Sequence, residues 1–274
     1  MNDPRAALEA IGALPDVELD IGAAAIQLAR IDTPDADWRA ASAHLSELAR
    51  AIVAATDRDN GSATMRAGLL ADLLAGHYGY RGDSTTYDDP ANANLIRVTE
   101  RRKGLPVALG VLWLHCARAA DWPAHGIDFP GHFLIALGGK GSAAVIDVFA
   151  GGEPIDAPGL RALIKAVEGP QAELRPGLMR PMSTRAVLLR LQNNIKVRRL
   201  QAQNMAGALA CTEDMLRIAP QEAVLWREAA LMNQRLDRVG AALRCFEHFL
   251  RLVPDGAAAL RTRTAMEELR ARLN

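Results

Sequence analysis

Residues 104–152 read GLPVALGVLWLHCARAADWPAHGIDFPGHFLIALGGKGSAAVIDVFAGG, and this stretch decides the fold. Its first part, Gly104 to Ala120, is apolar nearly all round, and a helix with no polar face belongs at the centre of a domain. Gly104 and Pro106 punctuate its start, proline being suited to a first helical turn. Further on, Leu134-Ile135-Ala136-Leu137 and Ala144 to Phe149 are short apolar runs on either side of GGKG, the pattern of a β-hairpin. Both faces of the hairpin are apolar, so its sheet is covered on both sides. A buried helix packed on a small antiparallel sheet makes the domain α+β.

Upstream, residues 17–76 carry helical spacing: Ile21, Ala24, Ala25 and Leu28, then Ala41, Leu45, Leu48 and Ile52, then Met65, Leu69 and Leu73. Asp35-Ala36-Asp37 offers capping groups before the second of these helices. Residues 77–103 are polar and rich in turn formers, which predicts a loop and then a short helix around Ala93 to Arg102. Downstream, Pro158, Pro170, Pro176 and Pro181 mark a linker, and from about Thr184 the chain reads as helix.

The tail repeats itself. MAGALACTEDMLRIAP (205–220) and VGAALRCFEHFLRLVP (239–254) align at a 34-residue offset, with identities that include Cys211/Cys245, Glu213/Glu247, Arg217/Arg251 and Pro220/Pro254. A 34-residue helix–turn–helix period is the tetratricopeptide signature. Two repeats are too few to stand alone, so the tail is expected to dock on the first domain or to use a final helix, Ala257 to Leu273, as a cap.

Bulk properties exclude several classes. The formal charge is zero, so no global positive field favours nucleic acid or anionic lipid. The longest apolar stretch, Leu105 to Leu114, is about half a membrane span. The N-terminus shows no basic segment followed by an apolar one, and Cys116, Cys211 and Cys245 are far apart in apolar helical patterns, as free buried thiols are. Reducing cytosol is the expected compartment. Charge is unevenly placed: residues 1–60 hold eleven acids against five bases, whereas Arg175 to Arg199 is basic and acid-free. Such a run reads as a solvated helix face, with an acidic partner or intramolecular docking on the acidic N-terminal part as the other readings.

The sharpest candidate chemistry is His132 with Asp147. If Gly138 to Gly141 form the turn, His132 falls opposite Asp147, where an imidazole can bond a carboxylate. That is the base-plus-orienter half of a nucleophilic triad, although a satisfied structural histidine has the same look. Arg101, Arg102 and Lys103 precede a helix start, a place for an anion, or else they pin the loop by pairing with Glu100, Asp88 or Asp89. His125, Asp128 and His132 have loop-like metal spacing but no further ligand, so no cofactor is expected. Tyr78, Tyr80 and Tyr87 lack an accompanying basic surface and read as loop packing.

RRKGLP (101–106), FPGHFLI (129–135) and IDVFAGG (146–152), with Tyr87, Pro90, Asn92 and Asn94 ahead of them, resemble the SirB-type transglutaminase-like family. With LLRLQNNIKVRRL (188–200) and the repeats, the resemblance covers nearly the whole chain. It implies a transglutaminase or papain-like core at 1–165 (helical to 76, core 77–157), a linker at 166–183 and tetratricopeptide-like repeats at 184–274. It also implies a Cys-His-Asp triad whose cysteine opens the central helix, where the helix dipole favours thiolate. By position the histidine is His132 and the aspartate Asp147, with Arg101, Arg102 and Gly131 beside the groove. Pro106 stands in the cysteine's place, with neither a nucleophile nor an N–H. Cys116 is ten residues further along, roughly 15 Å up the helix axis. The expected function is therefore a non-catalytic protein-interaction or regulatory module with a protein or peptide partner. The alternative is a cysteine-independent hydrolase or amidase in which His132, oriented by Asp147, activates water.

Overall fold

The computed structural model describes residues 3 to 271, and the chain falls into two compact units, 15–191 and 1–14 with 192–274. In the larger unit the helices are α2 (Ile21–Asp32), α3 (Trp38–Ala55), α4 (Ala63–Ala71) and α5 (Leu95–Arg101), followed by α6 (Pro106–Ala119). Asp37 caps α3, its carboxylate accepting from the Arg39 and Ala40 amides, as the acidic run before that helix predicts. The central helix α6 is buried over most of its length and packs against α2 and α3. His115 is one of its few polar residues, and its Nε2 donates to the Leu45 carbonyl at 3.1 Å.

On its other side α6 meets a five-stranded antiparallel sheet made from β3 (Ala124–Phe129), β4 (His132–Gly139), β5 (Ser142–Asp147), β6 (Glu153–Pro154) and β7 (Pro181–Met182). Its spatial order is β6-β5-β4-β3-β7. Strand alternation sends Phe133 and Gly126 towards α6. A Cβ on Gly110 of α6 would lie 2.2 Å from the Phe133 ring, so glycine there lets the helix settle onto the sheet. Ile127, Phe129, Leu134 and Ala136 face the other way, against Leu160 and Ile164 of α7 (Ala157–Glu168). The sheet is thus covered on both faces, as its apolar runs require. A parallel pair, β1 (Arg81–Gly82) with β2 (Lys103–Gly104), ties the loop before α6 to the start of that helix.

The smaller unit contains the repeats: α9 (Met205–Ile218), α10 (Ala223–Arg235), α11 (Val239–Leu252) and α12 (Ala257–Ala271). The helix α8 (Thr184–Gln201) runs from one unit into the other. The final helix does cap the array, with Met266 and Leu269 packed against Ala230, Ala242 and Phe246; its expected end at Leu273 lies outside the described residues.

Three expectations are corrected. The proline-rich stretch is no free linker: α7 takes Pro158 into its first turn, and Pro181–Met182 pair with β3 as an edge strand, where proline's missing N–H costs no ladder bond. The N-terminal helix α1 (Pro4–Gly12) belongs with the repeats rather than the first domain. Its Leu8 is fully buried, Arg5 bonds Asp214 at 3.0 Å, and Gly12 lies so close to α9 that a Cβ would stand 1.9 Å from the Arg217 carbonyl. The basic run is only in part a solvated face, Arg175 and Arg180 being exposed, because acids near and far in sequence come to meet it. Arg175 pairs with Glu168, Arg190 with Asp128 and Lys196 with Glu228, while Arg185 meets Asp16 of the acidic N-terminal part.

Candidate functional site

Pro106 stands at the first turn of α6, and no sulfur or hydroxyl occurs between Gly104 and Gly110. The preceding residue is held by its amide, Leu105 donating to the Asn92 carbonyl at 2.9 Å. This is the place where the resemblance puts a thiolate.

The base does not reach it. His132 opens β4 directly across from Phe129, with ring centroids 6.5 Å apart. Directly opposed residues share a face, and Phe129 belongs to the cluster under α7. The imidazole therefore lies on the α7 face of the sheet, whereas α6 packs on the opposite face through the next residue, Phe133. Arg190 holds this strand start through the backbone, donating to the His132 carbonyl at 2.9 Å.

Nor is His132 opposite Asp147. The ladder runs Gly139↔Ser142, Leu137↔Ala144 and Ile135↔Ile146, two residues out of step with the expected register. Gly138 and Gly139 extend the strand and only Lys140-Gly141 turns, Gly141 taking φ +73°, a left-handed conformation that glycine adopts without strain. Asp147 pairs with Glu153, and its Oδ1 accepts from the Phe149 amide at 2.8 Å and the Ala150 amide at 3.3 Å. Its carboxylate caps a turn instead of orienting an imidazole. Gly131, at φ +70°, makes the β3–β4 turn beside Val167 of α7.

Cys116 offers no rescue. It is fully buried in α6, and burial pushes its pKa up to about 12, so at neutral pH it is a thiol and not a thiolate. Asp128 is paired with Arg190, and among the described residues no three His, Cys, Asp or Glu groups converge as a metal would need.

Arg101 is consumed in pinning the loop, at 3.1 Å from buried Asp83 and 3.1 Å from Asp89. Asp83 also accepts from the Thr86 hydroxyl at 2.7 Å and the Thr86 amide at 3.0 Å, and these bonds lower its pKa to about 2. Arg102 ends α5 in the left-handed region at φ 59°. Its Nη1 donates to His44 Nε2 and to the Tyr80 hydroxyl. His44 Nδ1 is 2.9 Å from Glu47, which also accepts from the Tyr78 hydroxyl at 2.9 Å. Burial holds the His44 pKa below its ordinary value, and Arg102 presses the same way against the opposing pull of Glu47, so the ring is neutral and can accept. A cavity of about 200 Å³ adjoins this cluster, lined by Asp37, Thr99 and Glu100 among others. Sequence reasoning missed the cluster. The available signal was His44 and Glu47, three residues apart on one face of α3.

With this geometry established, the family follows from comparison. A model described as the transglutaminase-like superfamily matches residues 39–193, and a tetratricopeptide repeat model matches 195–267. The chain belongs to the transglutaminase-like superfamily and carries tetratricopeptide repeats after that domain. Among its relatives, a UPF0162 protein of Xylella fastidiosa strain 9a5c is 32% identical over 156 residues, 56% of each chain. The match thus spans little more than half the length of that relative. A UPF0162 protein of Vibrio cholerae is 29% identical over 225 residues, 80% of each chain. The solved structure of menin aligns over 90% of this chain and 70% of its own with 11% identity and a TM-score of 0.38, a likeness too slight to carry weight. Among the described residues no helix is long and apolar enough to cross a membrane.

Proposed function

We propose that this is a non-catalytic transglutaminase-like protein of the SirB type, acting in the cytosol as a protein-interaction or regulatory module. One observation carries the reading: the helix that should present a nucleophile begins with Leu105-Pro106, and His132, the base that the resemblance assigns, lies across the sheet from it. A triad works only when nucleophile, base and orienter are within hydrogen-bond reach of one another. Here the nucleophile is absent, the base is on the wrong face and the orienter's carboxylate is committed to a turn. The water-activating alternative also needs Asp147 to hold His132, so the same geometry weighs against it. The repeats supply the interaction surface, since stacked helical hairpins present extended grooves.

The test has two arms on the full chain. Acyl, amide and ester probes should show no turnover above buffer. Affinity capture with mild crosslinking should return a protein that is lost when exposed residues of the repeats are substituted. Turnover that His132→Ala abolishes would reverse the reading.

A further inference from the structure

The smaller unit holds a groove that neither the resemblance nor the repeats assign. Helices α1, α9, α10 and α11 enclose about 670 Å³, open to solvent along one side, a volume in the range of ligand sites. One wall is aromatic. Trp226 stacks on His248 with centroids 3.9 Å apart and planes 14° from parallel, and its Nε1 donates to the Pro220 carbonyl at 2.8 Å. Both contacts fix the indole in place before anything binds.

The charges along the groove are not balanced. Glu9, Glu213, Arg217 and His248 are its ionisable lining besides the Cys245 thiol. Arg217 is already spent, 3.3 Å from Glu9 and 3.0 Å from buried Asp214. Arg5, whose charge also feels Glu213, is engaged with Asp214 at 3.0 Å. His248 has its pKa lowered by burial and by Arg251, whose guanidinium it accepts from, so the ring carries no charge at neutral pH. Glu213 is exposed and makes no ion pair or hydrogen bond within the described residues.

We infer that this groove binds the side chain of a lysine presented by a partner polypeptide, its methylene stem against Trp226 and its ammonium at Glu213. Aromatic walls beside a free carboxylate are the chemistry that selects a cation on an apolar stem. The inference rests on the interaction reading above but is more specific, because it names the groove and the charge of what enters it. It also gives α1 a role, since Glu9 and Gly12 form the wall that a bare pair of repeats would lack.

The test is titration of the full chain with N-acetyl-lysine N-methylamide, butylamine, butanol and butanoate, followed by the indole N–H resonance of Trp226. That peak is assigned by its loss in Trp226→Phe. The lysine derivative and butylamine should shift the peak saturably, about fivefold more tightly than butanol, and butanoate should be weaker still. Glu213→Gln should remove the preference for amine over alcohol while leaving the peak at its native position. Equal binding of amine and alcohol, no shift with the lysine derivative, or a preference that survives Glu213→Gln would each overturn the inference. Binding of butylamine without the lysine derivative would overturn the polypeptide partner. Failure here with capture of a protein through another face of the repeats would leave the interaction reading standing.

Discussion

The start of α6 and the groove of the smaller unit make opposite points about how residues become a site. At α6 the chain carries the motif residues of a triad, and the fold sets them apart: Pro106 at the helix start, His132 under α7 and Asp147 in a turn. In the groove no residue looked like chemistry in sequence, yet α1 and two repeats bring together Trp226, His248 and Glu213, which makes no ion pair among the described residues. Motif spacing reports ancestry, whereas the face on which a side chain emerges decides function.

The contrast can be broken first at α6. Trp113 is fully buried there and fills the space over Gly152, where a Cβ would come within 2.0 Å of the indole. If α6 now serves as a packing element, Trp113→Ala should cost about 3–5 kcal/mol in urea unfolding. A cost under about 1 kcal/mol would mean the helix is loosely held. In the groove, Gly12→Ala must push α1 off the α9 backbone, costing about 1–3 kcal/mol. Hydrogen exchange should rise in Pro4–Gly12 and stay unchanged in α6, and an unchanged α1 would contradict its docking. Asp147→Ala should lose about 1 kcal/mol as its turn amides lose their acceptor. The resonances of the His132 ring should stay in place, and movement of that ring would restore the pairing that the register denies.

The smallest effect concerns acid. Asp83 binds its proton more weakly folded than unfolded, so its contribution is complete above the unfolded carboxylate value near 3.8 and is lost as pH falls towards about 2. Asp83→Asn should therefore flatten the fall in stability between roughly pH 4 and pH 2 relative to the parent chain. An identical slope in both would show that the Thr86 hydrogen bonds do not hold this carboxylate ionised.

Much of the architecture was legible because burial leaves periodic traces. The helices between residues 21 and 71, the apolar α6, the covered hairpin and the 34-residue repeat all follow from spacing and appear where expected. Register was not legible. The four residues GGKG allow a two-residue or a four-residue turn, and glycines 138 and 139 extend the strand because nothing in their own chemistry forbids it. Two residues of slip kept the faces and lost the partner. The strand at Pro181–Met182 was hidden by its proline, which only an edge tolerates. The pairing of Arg190 with Asp128, and of Arg5 with Asp214, joins residues far apart in sequence, and no local pattern encodes such meetings.

Replacing Pro106 with cysteine restores the sulfur and nothing else, so it isolates the claim that α6 and His132 occupy opposite faces of the sheet. Incubated with acyl and amide probes at neutral pH, Pro106→Cys should react stoichiometrically as an ordinary thiol with alkylating agents and show no turnover. Catalytic turnover by that variant, abolished when His132→Ala is added, would contradict it.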